Sequence, residues 1–305
     1  MGRICVVGSA NLDIVTPVPH HPVAGETVLG GDHAQVPGGK GANQAVAAAR
    51  LGHEVAFVGR VGDDGPADVL RASLSDAGVE LSMLATTPGV PSGIATISVD
   101  PDGDNSIVVS PGANSRISPA DIEAAAGVLQ GAAVVLLQLE VPLDAVAAAA
   151  SRANSIVVLN PAPAPPDGTL PDDLLTNVDV LVPNQTELAL LAGGAEPTNA
   201  DEAQSLAASL PVDRIVVTLG AEGALVIDGE EITAVPAPQV VPVDTTAAGD
   251  AFCGALGGAL ADGASLAEAA AWAVRVGSAA TLRAGAQPSL PTRNEVDDLL
   301  QAGIE

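Results

Sequence analysis

The chain has 305 residues, 48% of them apolar, which suffices for one large α/β domain or two ordinary ones with a sizeable core. Aspartate and glutamate number 37 against 11 lysines and arginines, a net charge of −26. Such a surface argues against nucleic acid or anionic lipid as a partner. Two Phe, one Trp and no Tyr leave a core of small aliphatic contacts, with few aromatic faces to stack on bases.

In chain order, Ile4-Cys5-Val6-Val7 predicts a buried strand that ends in the small-residue turn Gly8-Ser9, with Asn11 and Asp13 close behind. Polar residues just past a strand's carboxyl end line the ligand crevice of an α/β sheet. Residues 14–36 carry Pro17, Pro19 and Pro22 and no helical period, so they read as extended excursions from the main sheet. Pro37-Gly38-Gly39-Lys40-Gly41-Ala42-Asn43-Gln44 then enters a helix through Ala45, Ala48 and Leu51. Three glycines before a helix let backbone approach a ligand closely, and Lys40 suggests phosphate. The spacing is neither GxxxxGK[ST] nor GxGxxG, so this is no Walker A loop and no dinucleotide fingerprint. Lys40 is the only lysine in the protein.

Val55 to Val58 is the next strand, and a helix from about Pro66 to Asp76 stops at Gly78. Ile94, Thr96 and Ser98 face Ile107, Val108 and Val109 across Pro101-Asp102-Gly103-Asp104, which predicts a hairpin. Residues 92–110 with residues 14–36 are expected to form a small separate sheet, a lid over the crevice. Strands at 134–137, 156–159, 180–182 and 215–218 then alternate with helical stretches, and each ends in polar or glycine-rich residues. A hairpin at 224–228 and 232–235 and helices at about 248–261, 265–282 and 292–302 complete the chain. Alternating strands and helices mean parallel pairing with right-handed crossovers. The expected fold is one α/β domain over 1–305, a central mostly parallel sheet flanked by helices, with a discontinuous β lid.

Asp244-Thr245-Thr246-Ala247-Ala248-Gly249-Asp250 opens the helix at 248. Thr245 or Thr246 can cap it, leaving the amides of Ala247, Ala248 and Gly249 as an anion site at the positive end of the helix dipole. Asp250 then serves either as the base for a hydroxyl attacking phosphorus or as a first-turn acid that complements the dipole. Glu140 reads as solvated surface or as an acceptor for a sugar hydroxyl. Asn184 and Glu187 read as a capping pair or as part of a magnesium–phosphate network. Gly220 and Gly223 are turn glycines or nucleotide contacts. His20, His21, His33 and His53 suit surface roles, and Cys5 and Cys253 suit small buried positions.

Gly38 to Ala45, Asn184 to Glu187 and Asp244 to Asp250 together resemble the three signature segments of the ribokinase (PfkB-type) family of carbohydrate kinases, in the family order and spacing. The likeness continues through Gly8 to Asp13, Asn160 to Ala164 and Gly285 to Ser289, so it covers essentially the whole chain. It implies a ribokinase-like fold with a β lid that pairs two subunits, and ATP-dependent phosphorylation of D-ribose at its 5-hydroxyl. By the same likeness Asp250 is the catalytic base and Ala247, Ala248, Gly249 and Asp250 cradle the transferring phosphoryl group. Asn11, Asp13, Gly39, Lys40, Gly41, Asn43, Glu140 and Asp250 would hold the sugar. Asn184, Thr218, Leu219, Gly220, Ala221, Glu222, Gly223, Gly249 and Asp250 would contact ATP, with Glu187 in the Mg2+ network. An activating K+ would sit among Asp244, Thr246, Ala280, Arg283, Gly285 and Ser289. One departure is Val274, where some relatives carry His or Asn near adenine. Within the family 2-deoxyribose, another sugar or a nucleoside could replace ribose; outside it stands a sugar-binding protein without turnover. An NAD-linked dehydrogenase would need the glycine fingerprint that is missing.

No stretch reaches the roughly 18 uninterrupted apolar residues of a membrane span, and the N-terminal apolar run is too short for a signal peptide, so a cytoplasmic protein is expected. The acid-rich, lysine-poor composition resembles that of proteins from salt-accumulating cells. In molar salt the Debye length falls to about 3 Å and like-charge repulsion is screened. The melting temperature should therefore rise from dilute buffer to molar KCl; an unchanged value would refute the halophilic reading.

Overall fold

The computed structural model describes residues 2–303. Its strands are β1 Ile4–Val7, β2 Asn11–Pro17, β3 Ala34–Gly38, β4 Val55–Val61, β5 Glu80–Thr86, β6 Gly93–Val99, β7 Asn105–Ser110, β8 Val134–Leu137, β9 Ile156–Leu159, β10 Val180–Leu181, β11 Arg214–Thr218, β12 Gly223–Asp228 and β13 Glu231–Pro236. The helices are α1 Lys40–Arg50, α2 Gly65–Asp76, α3 Pro119–Ala124, α4 Ala126–Gln130, α5 Leu143–Arg152, α6 Asp172–Leu175, α7 Gln185–Ala192, α8 Ala200–Ala207, α9 Ala248–Ala261, α10 Leu266–Ala280 and α11 Glu295–Ala302.

Nine strands form the main sheet in the order β13-β12-β11-β10-β9-β8-β1-β4-β5. All pairs are parallel from β5 to β11, and β12 and β13 are antiparallel. Strand side chains alternate faces, and both faces are covered. Ile4 and Val6 pack with residues of α1, α9, α10 and α11, whereas Cys5 and Val7 join residues of α3, α5, α6 and α7. That double burial explains why these strands are continuous apolar runs. Strand β5, at the sheet edge, has exposed and half-buried positions with only Leu84 buried, and its polar Glu80 and Ser82 give it no such run.

The chain begins at β1, moves outward to β4 and β5, and then returns to the other side of β1 with β8. The carboxyl ends of β1 and β8 therefore flank the topological switch point, where open α/β sheets bind ligands. A second sheet, β3-β2-β6-β7, rises from that edge. It starts at Asn11, earlier than the proline-rich segment suggests, so Asn11 and Asp13 are strand residues paired with Gly38 and Val36. Residues 18–33 carry no strand.

Most of the scarce cations are committed. Arg3, Arg60, Arg152, Arg214, Arg275 and Arg283 each pair with a carboxylate, while Arg50 and Arg293 donate to main-chain carbonyls. Most of the acidic side chains thus face solvent without a counter-charge, the arrangement that salt screening favours. His53 is not at the surface: it is 5% exposed and packs against Gly258 of α9, whose missing side chain leaves room for the ring. Among the described residues no helix is long and apolar enough to cross a membrane.

Candidate active site

Around the switch point, each strand end delivers polar groups. Glu140, after β8, accepts hydrogen bonds from Ser9 Oγ at 2.5 Å, from the Lys40 main-chain N–H at 3.0 Å and from Asn11 Nδ2 at 3.5 Å. It is half-buried and engaged, not a solvated surface residue. Asn114, in a short turn at Gly112–Arg116, donates from Nδ2 to Asn11 Oδ1 at 2.7 Å and accepts from the Ala10 N–H at 3.0 Å. It fixes the Asn11 amide, yet no local motif marks it.

The glycines before α1 serve close approach of protein to protein. A Cβ at Gly38 would lie 2.2 Å from Asp13 Oδ2, one at Gly39 2.7 Å from the Asn11 nitrogen, and one at Gly41 2.7 Å from Gly8 Cα. The helix start is thereby seated on β2 and the turn after β1, which brings Lys40 beside Glu140. Farther along, a Cβ at Gly254 would lie 2.7 Å from Ala47 Cβ. This tight α1–α9 contact places Asn43 and Gln44 against Asp250. Asn43 Nδ2 donates to Asp250 Oδ2 at 2.9 Å and Gln44 Nε2 to Asp250 Oδ1 at 3.2 Å.

The start of α9 differs from the expected cap. Its N-cap is Ala247, in the left-handed region at φ 59°, and no side chain caps the helix. The left-handed residue turns the chain between Thr246 and α9, so neither threonine caps it. Asp244 organises the turn instead, accepting from the Thr246 N–H at 2.8 Å and the Gly285 N–H at 2.7 Å. The Ala248 N–H is spent on Thr245 O at 3.2 Å. Ala247, Gly249 and Asp250 line the smaller of two cavities, and main-chain N–H groups at a helix start are suited to an anion.

That smaller cavity, about 230 Å³, also touches Lys40, Asn160, Asn184, Glu187 and Cys253. A larger one of about 350 Å³ is bounded by Gly220, Ala221, Gly223, Val240, Phe252 and Val274. Both share Thr218, Thr245 and Gly249. Asn184 and Glu187 form the capping pair that the sequence allows. They form a reciprocal cap on α7, with Glu187 N–H to Asn184 Oδ1 at 2.7 Å and Asn184 N–H to Glu187 Oε2 at 2.9 Å, and they line the cavity. Leu219 and Glu222 belong to the same β11–β12 turn but not to the cavity wall. Asn11, Asp13, Gly39, Gly41, Asn43 and Glu140 line neither cavity. In the more distant group, Ser289 Oγ donates to Ala286 O, Arg283 pairs with Glu295, and Ala280 ends α10.

Burial sets the electrostatics. It pushes the Asp250 carboxyl above its ordinary range, outweighing Lys40 and the Asn43 and Gln44 donors. Asp13 is pushed up to about 7 by burial, with Glu140 and Asp250 adding to the shift. Burial alone would pull Lys40 down, but Asp250, Glu140 and Glu187 together hold it above the usual lysine range. Cys5 and Cys253 are buried, and burial raises both thiols, so neither is a ready nucleophile.

Helix-start amides beside a buried carboxylate held above its ordinary pKa range are the equipment of phosphoryl transfer to an alcohol. The fold and site define a small-molecule kinase of the α/β class. The sequence profile described as pfkB family carbohydrate kinase matches residues 1–293. The chain is 40% identical over 303 residues to ribokinase of Bacillus subtilis, covering 98% of this chain and 100% of that protein. It is also 40% identical over 257 residues to deoxyribokinase of Salmonella typhi, with 82% and 83% covered. Among solved structures, Arabidopsis thaliana ribokinase complexed with ribose and ATP matches with a TM-score of 0.87 at 34% identity, covering 98% and 99%. The chain belongs to the pfkB family of carbohydrate kinases.

Proposed function

We propose that this protein transfers the γ-phosphoryl group of ATP to the 5-hydroxyl of D-ribose. The observation that carries the reading is Asp250, buried at the start of α9, held by two amide donors and bordered by open main-chain N–H groups. Asp250 takes the hydroxyl proton as that oxygen attacks phosphorus. The amides of Ala247, Gly249 and Asp250 balance charge on the phosphoryl oxygens, with Ala248 holding the turn rather than the anion. Asn11, Asp13, Gly39, Lys40, Gly41, Asn43 and Glu140 bind the sugar under the second sheet, which acts as the lid. The larger cavity takes the nucleotide along Thr218 to Gly223, with Asn184 near phosphate. Its apolar wall at Val240, Phe252 and Val274 suits the flat face of adenine.

Mg2+ is held by one or two carboxylates plus substrate phosphates. Glu187 fits that demand, because its cap with Asn184 uses a single carboxylate oxygen. For a monovalent activator such as K+, the proposed site is Asp244, Thr246, Ala280, Arg283, Gly285 and Ser289, supported by the bonds from the Thr246 and Gly285 N–H groups to Asp244. Strand β7 is exposed along its length, including Ile107, Val108 and Val109, and is the face on which two lids pair in a homodimer. Two buried free thiols accord with a cytoplasmic protein.

The test is a coupled ADP-release assay with ribose, 2-deoxyribose, fructose and nucleosides, run with Mg2+ in molar KCl. Ribose should give the highest kcat/KM. A preference for 2-deoxyribose would move the acceptor assignment, and sugar binding without ADP release would replace the kinase reading by a binding protein.

A further inference from the structure

Two buried side-chain amides, Gln138 and Gln44, form a directed chain that ends on Asp250, and the half-buried Asn160 accepts beside it. Asn160 Nδ2 donates to Val182 O at 2.9 Å, so its Oδ1 is turned toward Gln44 Nε2 at 3.4 Å. The carboxylate of Asp250 also demands a donor, so Gln44 Nε2 faces both and Gln44 Oε1 must point away. There it accepts from Gln138 Nε2 at 2.6 Å. Gln138 is 0% exposed and Gln44 1% exposed. The Gln138 Oε1 at the far end has no partner, and a Cβ at Gly8 would lie 2.1 Å from it. A fully buried amide with an orphaned carbonyl calls for an explanation. The packing keeps space for it against Gly8, and its one used group is the N–H that orients Gln44.

We propose that Gln44 and Gln138 are positioning residues for phosphoryl transfer: Gln138 sets the Gln44 amide, and Gln44 holds Asp250 Oδ1 while a remaining lone pair faces the hydroxyl. The assignment rests on Asp250 acting as the base. Gln44 donates more strongly to the ionised carboxylate than to the neutral acid, so it favours the form that can take a proton. The charged groups that also bear on Asp250 are Lys40 from α1, Glu140 after β8 and Asp13 from β2. Glu187 on α7 and Cys253 on α9 complete its surroundings. None of these is altered by changing either glutamine.

The experiment measures kcat at saturating sugar and ATP against pH for Gln44→Met and Gln138→Met, beside Asp250→Asn, with melting temperatures. Losing the Gln44 donor should move the acid limb of kcat upward by about one pH unit, with kcat recovering at high pH and KM within about twofold. Gln138→Met should move it less and in the same direction, because Asp250 and Asn160 still hold Gln44. A purely structural role would lower the melting temperature or depress kcat equally at every pH, and either result with an unmoved limb overturns the proposal. An inactive Asp250→Asn beside unmoved limbs overturns only the positioning role. Turnover surviving in Asp250→Asn overturns the base assignment and this one together. If Gln44→Met does not fold, the limb of Gln138→Met alone decides.

Discussion

Asp250→Asn should fold normally and lose turnover by about 10²–10⁴-fold, the usual contribution of a positioned general base. The substitution keeps the shape of the side chain but introduces an NH2 where both neighbours are donors. One of them can turn to suit it: Asn43 Oδ1 is buried without a partner, and a flipped Asn43 amide would accept from the new NH2. Gln44 still donates to the carbonyl oxygen that remains. Lys40 keeps Glu140 and Glu187. The stability sign follows from the raised carboxyl of Asp250. A carboxylate whose folded pKa lies above its unfolded value costs stability once pH exceeds the unfolded value. The variant lacks that cost, so its melting temperature at neutral pH should equal or exceed that of the wild type, with the difference vanishing in acid. Steady-state ADP release and calorimetry check both halves. Turnover within tenfold of wild type would remove Asp250 from the chemistry.

Those features whose cause is local were legible in the sequence. Strands β1, β8 and β9 are buried on both faces, so four consecutive apolar residues announce each of them. The start of α9 is announced by a run of small residues, Ala247, Ala248 and Gly249. Other features depend on partners far away in the chain. Gln44 and Gln138 are 94 residues apart, and nothing near either marks it as part of a relay. Asn114 orients Asn11 across 103 residues. Thr245 and Thr246 carry the right chemistry for a cap, yet the left-handed Ala247 defeats it, and a backbone angle of that kind is not written in an alanine. His53 is polar in a loop, so its burial is set by a glycine in α9 that the loop itself cannot reveal.

Asp13→Asn should weaken sugar binding by about 10²-fold or more while changing kcat far less. Asp13 is 9% exposed and its carboxyl is pushed up to about 7, by burial first and then by Glu140 and Asp250. Sugar hydroxyls that donate to the ionised form make charge-assisted bonds worth about 1.5–3 kcal/mol each, and an asparagine carbonyl replaces them poorly. With its carboxyl pushed up to about 7, Asp13 favours the protonated form below that pH, and sugar that takes the ionised form should release a proton on binding. The KM for sugar should accordingly fall as pH rises from 6 to 8 in the wild type and stay nearly level in the variant. Stability runs the other way. The raised carboxyl costs the wild type stability as pH climbs from its unfolded value, about 4, through 7 and beyond. Asp13→Asn should therefore melt higher at pH 8 and lose that advantage by about pH 4. Titration calorimetry in two buffers of different ionisation enthalpy would count the released proton directly. A wild-type KM that does not change across pH 6–8, or a variant that keeps the wild-type slope, would place the sugar's hydroxyls on some other acceptor.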